Sequence, residues 1–188
     1  MERERLTEAL ESLAIPRDMI DSVPTMPEDP LGLLVYGSWA RGDAVSGSDL
    51  DLLVVVENPQ PSTYSGDVSL SYYTIEQLES GKGTLFGAHL RRDAKVLWDV
   101  GDISTIISMM GDVDTTRLFV RARNMSKVLG SPERDLPRYL PGLLREARYL
   151  LRSCLYARAI ADGNPCFSVR EIAQRYEAYS RSHFVIHS

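Results

Sequence analysis

The chain is poor in cysteine, in histidine and in long apolar runs, and each shortage argues against a class of function. Its 188 residues hold two cysteines, Cys154 and Cys166, at no metal-like spacing. That argues against a disulfide framework or a structural zinc site, and free thiols in a reducing compartment are expected. The histidines His89, His183 and His187 keep no ligand spacing with Cys or Glu. No run approaches the roughly 18 apolar residues of a membrane helix. The opening MERERLTEALESL is charged and amphipathic, without the apolar stretch of a secretory signal. A cytoplasmic protein with no membrane partner is expected. A net charge of −5 argues against a global basic field for nucleic acid. Internal repeats and low-complexity tracts are also missing.

What is present is unevenly distributed. The first thirty residues carry eight acidic and three basic side chains, whereas 117–152 carry nine basic and three acidic. A solvated helix face accounts for such a basic flank more simply than a phosphate-binding one. Leu6, Ala9, Leu10 and Leu13 repeat at helical spacing. DSVPTMPEDPLG holds three prolines and reads as a loop. LGLLVYG is a short buried strand, residues 39–43 begin a short helix, and 43–48 form a polar loop. The second strand, 49–56, contains LLVVV, apolar on both faces as in a central strand. Residues 57–66 form a turn-rich connection, and DVSLSYYT is a third strand. Thr74 with Gln77 matches a capping box. GTLFGAHLRR predicts a helix and AKVLWD a fourth strand. After Gly101 the pattern turns helical, with an apolar stripe through Leu143, Leu144, Ala147, Leu150, Leu151, Cys154 and Leu155. Ser168 starts a last helix. The fold class expected is α+β: a small mixed β-sheet flanked by helices over 1–110, then a helical C-terminal segment over 111–188.

One stretch carries chemistry: VYGSWARGDAVSGSDLDLLVVV, residues 35–56. Asp49 and Asp51 are two apart on a strand, so both carboxylates project from one face. Like charges that close raise each other's pKa unless a cation sits between them. Hard divalent ions take carboxylate oxygens, and Mg²⁺ takes one or two of these plus substrate phosphates. Gly37 ends a strand and lets backbone approach a ligand. Ser38 opens a helical turn whose N–H groups favour phosphate. Arg41, just past the turn, is placed either to steer a triphosphate tail or to face solvent. The chemistry suggested is attack of an acceptor hydroxyl on the α-phosphate of a nucleoside triphosphate, with pyrophosphate leaving.

Gly37-Ser38, ten residues, then Asp49-Leu50-Asp51 resembles the signature of the DNA polymerase β-type nucleotidyltransferase superfamily, most of all its minimal nucleotidyltransferase branch. The resemblance is strongest over 33–56 and looser to about residue 99. It implies a small mixed sheet flanked by helices, Mg²⁺ as cofactor, and ATP or another nucleoside triphosphate as substrate. It further implies transfer of a nucleotidyl group to a hydroxyl of a protein or tRNA, in a toxin–antitoxin or defence setting, or of a small drug such as an aminoglycoside. Asp49 and Asp51 would hold metal, with Gly37 and Ser38 on the triphosphate. The family also expects a third carboxylate on the next strand. Counting back from YTIEQL puts that position at Ser69, and Asp67, two residues earlier on the same face, is the candidate to fill it as metal ligand and catalytic group. If it does not, the chain is a catalytically weak nucleotide-binding or partner-binding module.

Weaker signals have plainer readings. SGKGT is no P-loop, because the first glycine of that motif would fall at Glu76. Lys82 is then a loop lysine, and Trp39 wedges the turn. Tyr139, Tyr149 and Tyr156 are explained by helix packing. Arg181 and His187 resemble the Arg-x(4–6)-His element of HEPN ribonucleases, but the helical segment is short for such a bundle.

Overall fold

Alternation sorts the apolar residues of the three inner strands onto two sides of one sheet. Leu33, Val35, Leu50, Leu52, Val54, Val68, Leu70 and Tyr72 face one core, and Leu34, Leu53 and Val55 face the other. The structure, a computed structural model, describes residues 3–129 and 136–175. Arg181, His183 and His187 lie outside them, and so does the side chain of Tyr139.

The chain divides into two units, Met1–Asp112 and Val113–Ser188. In the first, the elements run α1 (Arg3–Glu11), α2 (Arg17–Asp21), β1 (Gly32–Tyr36), α3 (Gly37–Arg41), β2 (Leu50–Val55), β3 (Thr63–Ser65), β4 (Val68–Tyr73), α4 (Ile75–Glu79), α5 (Leu85–Asp93), β5 (Lys95–Asp99) and α6 (Ile103–Ser108). The class is α+β, with a mixed five-stranded sheet in the order β3-β4-β2-β1-β5. β2 runs antiparallel to β1 and parallel to β4, and β3 and β5 close the edges antiparallel to their neighbours. β2 is central, as its doubly apolar sequence predicts.

Helices cover both faces because each contributes an apolar stripe. Leu6 and Leu10 of α1 and Ile20 of α2 are buried on one side. Leu78 of α4, Leu90 of α5 and Ile103, Ile106 and Ile107 of α6 are buried on the other. Each fully buried leucine or isoleucine is worth roughly 1.5–3 kcal/mol of transfer free energy. Local signals place the ends. Thr74 and Gln77 form the capping box of α4, Thr84 accepts the N–H of Gly87 to start α5, and Asp99 accepts the N–H groups of Ile103 and Ser104 to start α6.

Two elements escaped the sequence reading. α2 follows Pro16 in five residues, too few to show a period. β3 lies inside 57–66, read above as connection, and becomes a strand only because β4 offers it an edge. The short helix expected at 39–43 instead occupies 37–41, since Gly37 enters with φ +76° and Gly42 ends it in the left-handed region.

The second unit packs α7 (Thr115–Leu129) on α8 (Leu136–Ala161), after which Ser168 caps a helix over 169–175. Tyr156 donates from its hydroxyl to the carbonyl of Phe167 at 2.9 Å, and Ala159, Cys166 and Ile172 are buried nearby. The apolar stripe of α8 is only partly covered: Leu144 and Leu151 are exposed, while Leu155 is half-buried. Cys154 and Cys166 are free thiols. Among the described residues no helix is long and apolar enough to cross a membrane.

Candidate functional site

The site is built where β1 hands over to α3. Tyr36 closes β1 opposite Asp51 of β2. The next residue, Gly37, has φ +76°, and a Cβ there would stand 2.6 Å from the Asp51 carboxylate oxygen Oδ2. Only glycine satisfies both conditions, so this turn presses bare backbone against an acidic group. Ser38 follows, half-buried, in the first turn of α3, whose leading N–H groups have no intrahelical acceptor. The 43–49 loop then returns the chain to β2. Asp49, exposed, stands one residue ahead of β2, and Asp51 is half-buried within it.

Electrostatics mark Asp51 as a carboxylate under stress. Asp51 is pushed up to about 6, mainly by burial and then by the charge of Asp49, with Arg41 pulling the other way. Tyr36 is pushed up to about 12 by burial first and by Asp51 second, against a hydrogen bond with Ser71. A carboxylate whose ionisation is opposed by burial and by an acidic neighbour suits a hard divalent cation, and Mg²⁺ needs only one or two protein carboxylates when phosphate and water complete its shell. The donor chemistry therefore fits one such ion through Asp49 and Asp51.

The third candidate is not the residue beside Asp51. In the parallel ladder the residue beside Asp51 is Ser69, with Leu50 paired to Val68. Asp67 precedes β4, is exposed, and engages β2 through its backbone carbonyl, which accepts the N–H of Leu50 at 2.8 Å. Among the described residues, no group of three or more His, Cys, Asp or Glu side chains is gathered to hold a metal. The structure thus sets Gly37 against Asp51 with Asp49 close by, and places Asp67 beside the start of β2, two residues short of the position beside Asp51.

Arg41 has a second engagement that sequence spacing did not reveal. It pairs with Asp43 at 3.1 Å and with Asp93 of α5 at 3.5 Å, and its Nη1 lies 3.1 Å from His89 Nε2. A guanidinium only donates, so His89 Nε2 accepts and the ring is neutral. Its pKa agrees, lowered to about 4 by burial first, then by Arg41 and Arg92. His89 Nε2 also lies 3.4 Å from Asp93, but as a neutral acceptor it adds no ion pair there. Burial raises the Asp93 carboxyl, opposed by Arg92 and Arg41. Arg41 therefore ties α3 to α5. Tyr36 meets Phe86 and His89 edge-on at 5.9 and 6.0 Å, and Tyr73 stacks on Phe86 at 5.7 Å. His89 and Asp93 sit four apart on α5, and that spacing was the one available signal for them.

Residues 17–104 match the family model described as "Nucleotidyltransferase domain". The matched stretch runs from α2 into α6 and takes in the whole sheet. No curated protein matches the chain. Among solved structures, one titled "Crystal structure of the toxin-antitoxin with AMP-PNP" is similar at 14% identity. The match covers 68% of this chain and 96% of that one, at a TM-score of 0.35.

Proposed function

We propose that the chain is a Mg²⁺-dependent nucleotidyltransferase that moves a nucleoside monophosphate from a triphosphate, ATP foremost, to a hydroxyl of a protein or tRNA. The setting fitting that reading is a toxin–antitoxin or defence system. One observation carries it: the backbone of Gly37 rests directly against Asp51, so the phosphate-binding turn and the acidic pair share one space. Asp49 and Asp51 would hold Mg²⁺, which when bound neutralises charge on the triphosphate and its leaving group. The turn at Gly37 and Ser38 offers N–H groups and a hydroxyl to phosphate oxygens. Arg41, fixed by Asp93 and Asp43, adds positive charge near Asp51 while bracing α3.

The test is turnover of α-labelled ATP with Mg²⁺, comparing wild type with Asp49→Ala plus Asp51→Ala. Pyrophosphate release in the wild type alone supports transfer. A second reading is favoured by Ser69 at the place beside Asp51. With no carboxylate there to accept the acceptor's proton, the chain would bind nucleotide and turn over slowly or not at all. Thermal stabilisation by Mg·ATP without pyrophosphate release selects that reading.

A further inference from the structure

The sheet edge next to the acidic pair bears an exposed tyrosine with a clear line to it. β3 is the edge strand, and Tyr64 lies directly opposite Ser69 of β4, which lies directly opposite Asp51 of β2. Directly opposed residues present their side chains to the same face. Tyr64, Ser69, Asp51 and Tyr36 are therefore one row across four strands, on the face that carries the site. Strands about 4.8 Å apart put the Tyr64 backbone about 9.6 Å from that of Asp51. Only the small side chain of Ser69 stands between them.

The tyrosines on this face differ in freedom. Tyr36 is half-buried against Phe86 and His89, and its hydroxyl bonds with Ser71. Tyr73 is half-buried and stacks on Phe86. Tyr64 is 74% exposed, so its ring is free to lean over Ser69. Tyr36 and Tyr64 also interact electrostatically, which places their hydroxyls in one neighbourhood.

We propose that Tyr64 is a self-acceptor, a tyrosine on which the chain places a nucleotide from its own triphosphate substrate. The proposal rests on the nucleotidyltransferase reading above. The Tyr64 Oη forms a bond to the α-phosphorus, and the bond from that phosphorus to the bridging oxygen of the β-phosphate breaks. Pyrophosphate leaves with the electron pair, and the phenolic proton passes to water. The product is a phosphodiester joining Tyr64 to the nucleoside.

The experiment incubates the full chain with Mg²⁺ and each of the four common nucleoside triphosphates, labelled at the α-phosphate. Denatured protein is then read for covalent label and by peptide mass mapping. The expected result is one nucleotide on Tyr64, with at least a tenfold loss of label in Tyr64→Phe. That variant keeps the ring, and thermal stabilisation by the same Mg·nucleotide checks that it still folds and binds. Undiminished label in Tyr64→Phe, or label derived from the γ-phosphate, overturns the proposal. Pyrophosphate release from the wild type with no label on protein overturns it while leaving the parent reading intact. If none of the four nucleotides binds, the parent reading falls and this one with it.

Discussion

Asp51→Asn should make the nucleotide-free protein more stable while abolishing transfer. Burial and Asp49 raise the Asp51 carboxyl from 3.8 to about 6. A folded pKa above the unfolded one means the folded state binds the proton more tightly. The stability this contributes is complete below about pH 3.8 and lost as pH rises through about 6. The shift is worth about 3 kcal/mol at face value. Asp51 keeps some access to water, which screens its charge, so about 1–2 kcal/mol is the realistic penalty above pH 7. Asparagine keeps the shape and drops the charge. At pH 8 in the absence of Mg²⁺, its melting temperature should exceed wild type by about 2–8 °C. At pH 5 about half of that advantage should be gone, because the wild-type carboxyl is by then mostly protonated. Thermal unfolding by circular dichroism at both pH values reads the effect. Adding Mg·ATP should stabilise the wild type and not the variant. An absent gain at pH 8, or an equal gain at pH 5, would refute the view of the acidic pair as an uncompensated charge awaiting a cation.

Gly37→Ala should lose activity on the order of a hundredfold, since its Cβ would drive into Asp51 Oδ2 and displace the turn; steady-state pyrophosphate release measures this. Arg41→Ala should destabilise by about 1–2 kcal/mol in urea unfolding, because it removes one of the two guanidinium partners of the buried Asp93 carboxylate and leaves Arg92 at 3.6 Å as the other. His89 has a folded pKa of about 4 against an ordinary 6.5, so its neutral form is favoured. It should make stability fall as pH drops below about 6.5 and level off near 4. That slope is cleanest in the Asp51→Asn background, and His89→Gln should flatten it. Thr74→Ala should cost about 1 kcal/mol through loss of the α4 cap, again read by urea unfolding.

Several parts of the site were legible because their signals are local. A spacing of two keeps Asp49 close enough to act on Asp51 whatever the sheet does, although Asp49 itself falls just ahead of β2. A Gly-Ser pair after an apolar run marks a turn into a helix, and the structure moves its start by only two residues, to Gly37. The α4 cap is carried by Thr74 and Gln77 alone. His89 and Asp93 were not legible as partners of Arg41. Their contact spans 48 and 52 residues and depends on where α5 packs. β3 was hidden because a three-residue strand has no period of its own.

The sequence by itself determined the α+β order, the doubly apolar central strand, the helix caps at Thr74 and Ser168 and the nearness of Asp49 to Asp51. All of these follow from side-chain periodicity and backbone preference within a few residues. The tertiary structure alone decided which residue of β4 stands beside Asp51. Sliding β4 by two residues keeps every apolar side chain on its own face, so the pattern of Asp67 to Tyr73 is indifferent between Asp67 and Ser69. The parallel ladder breaks that tie in favour of Ser69, and by pairing β3 to the same strand it sets Tyr64 in line with the acidic pair.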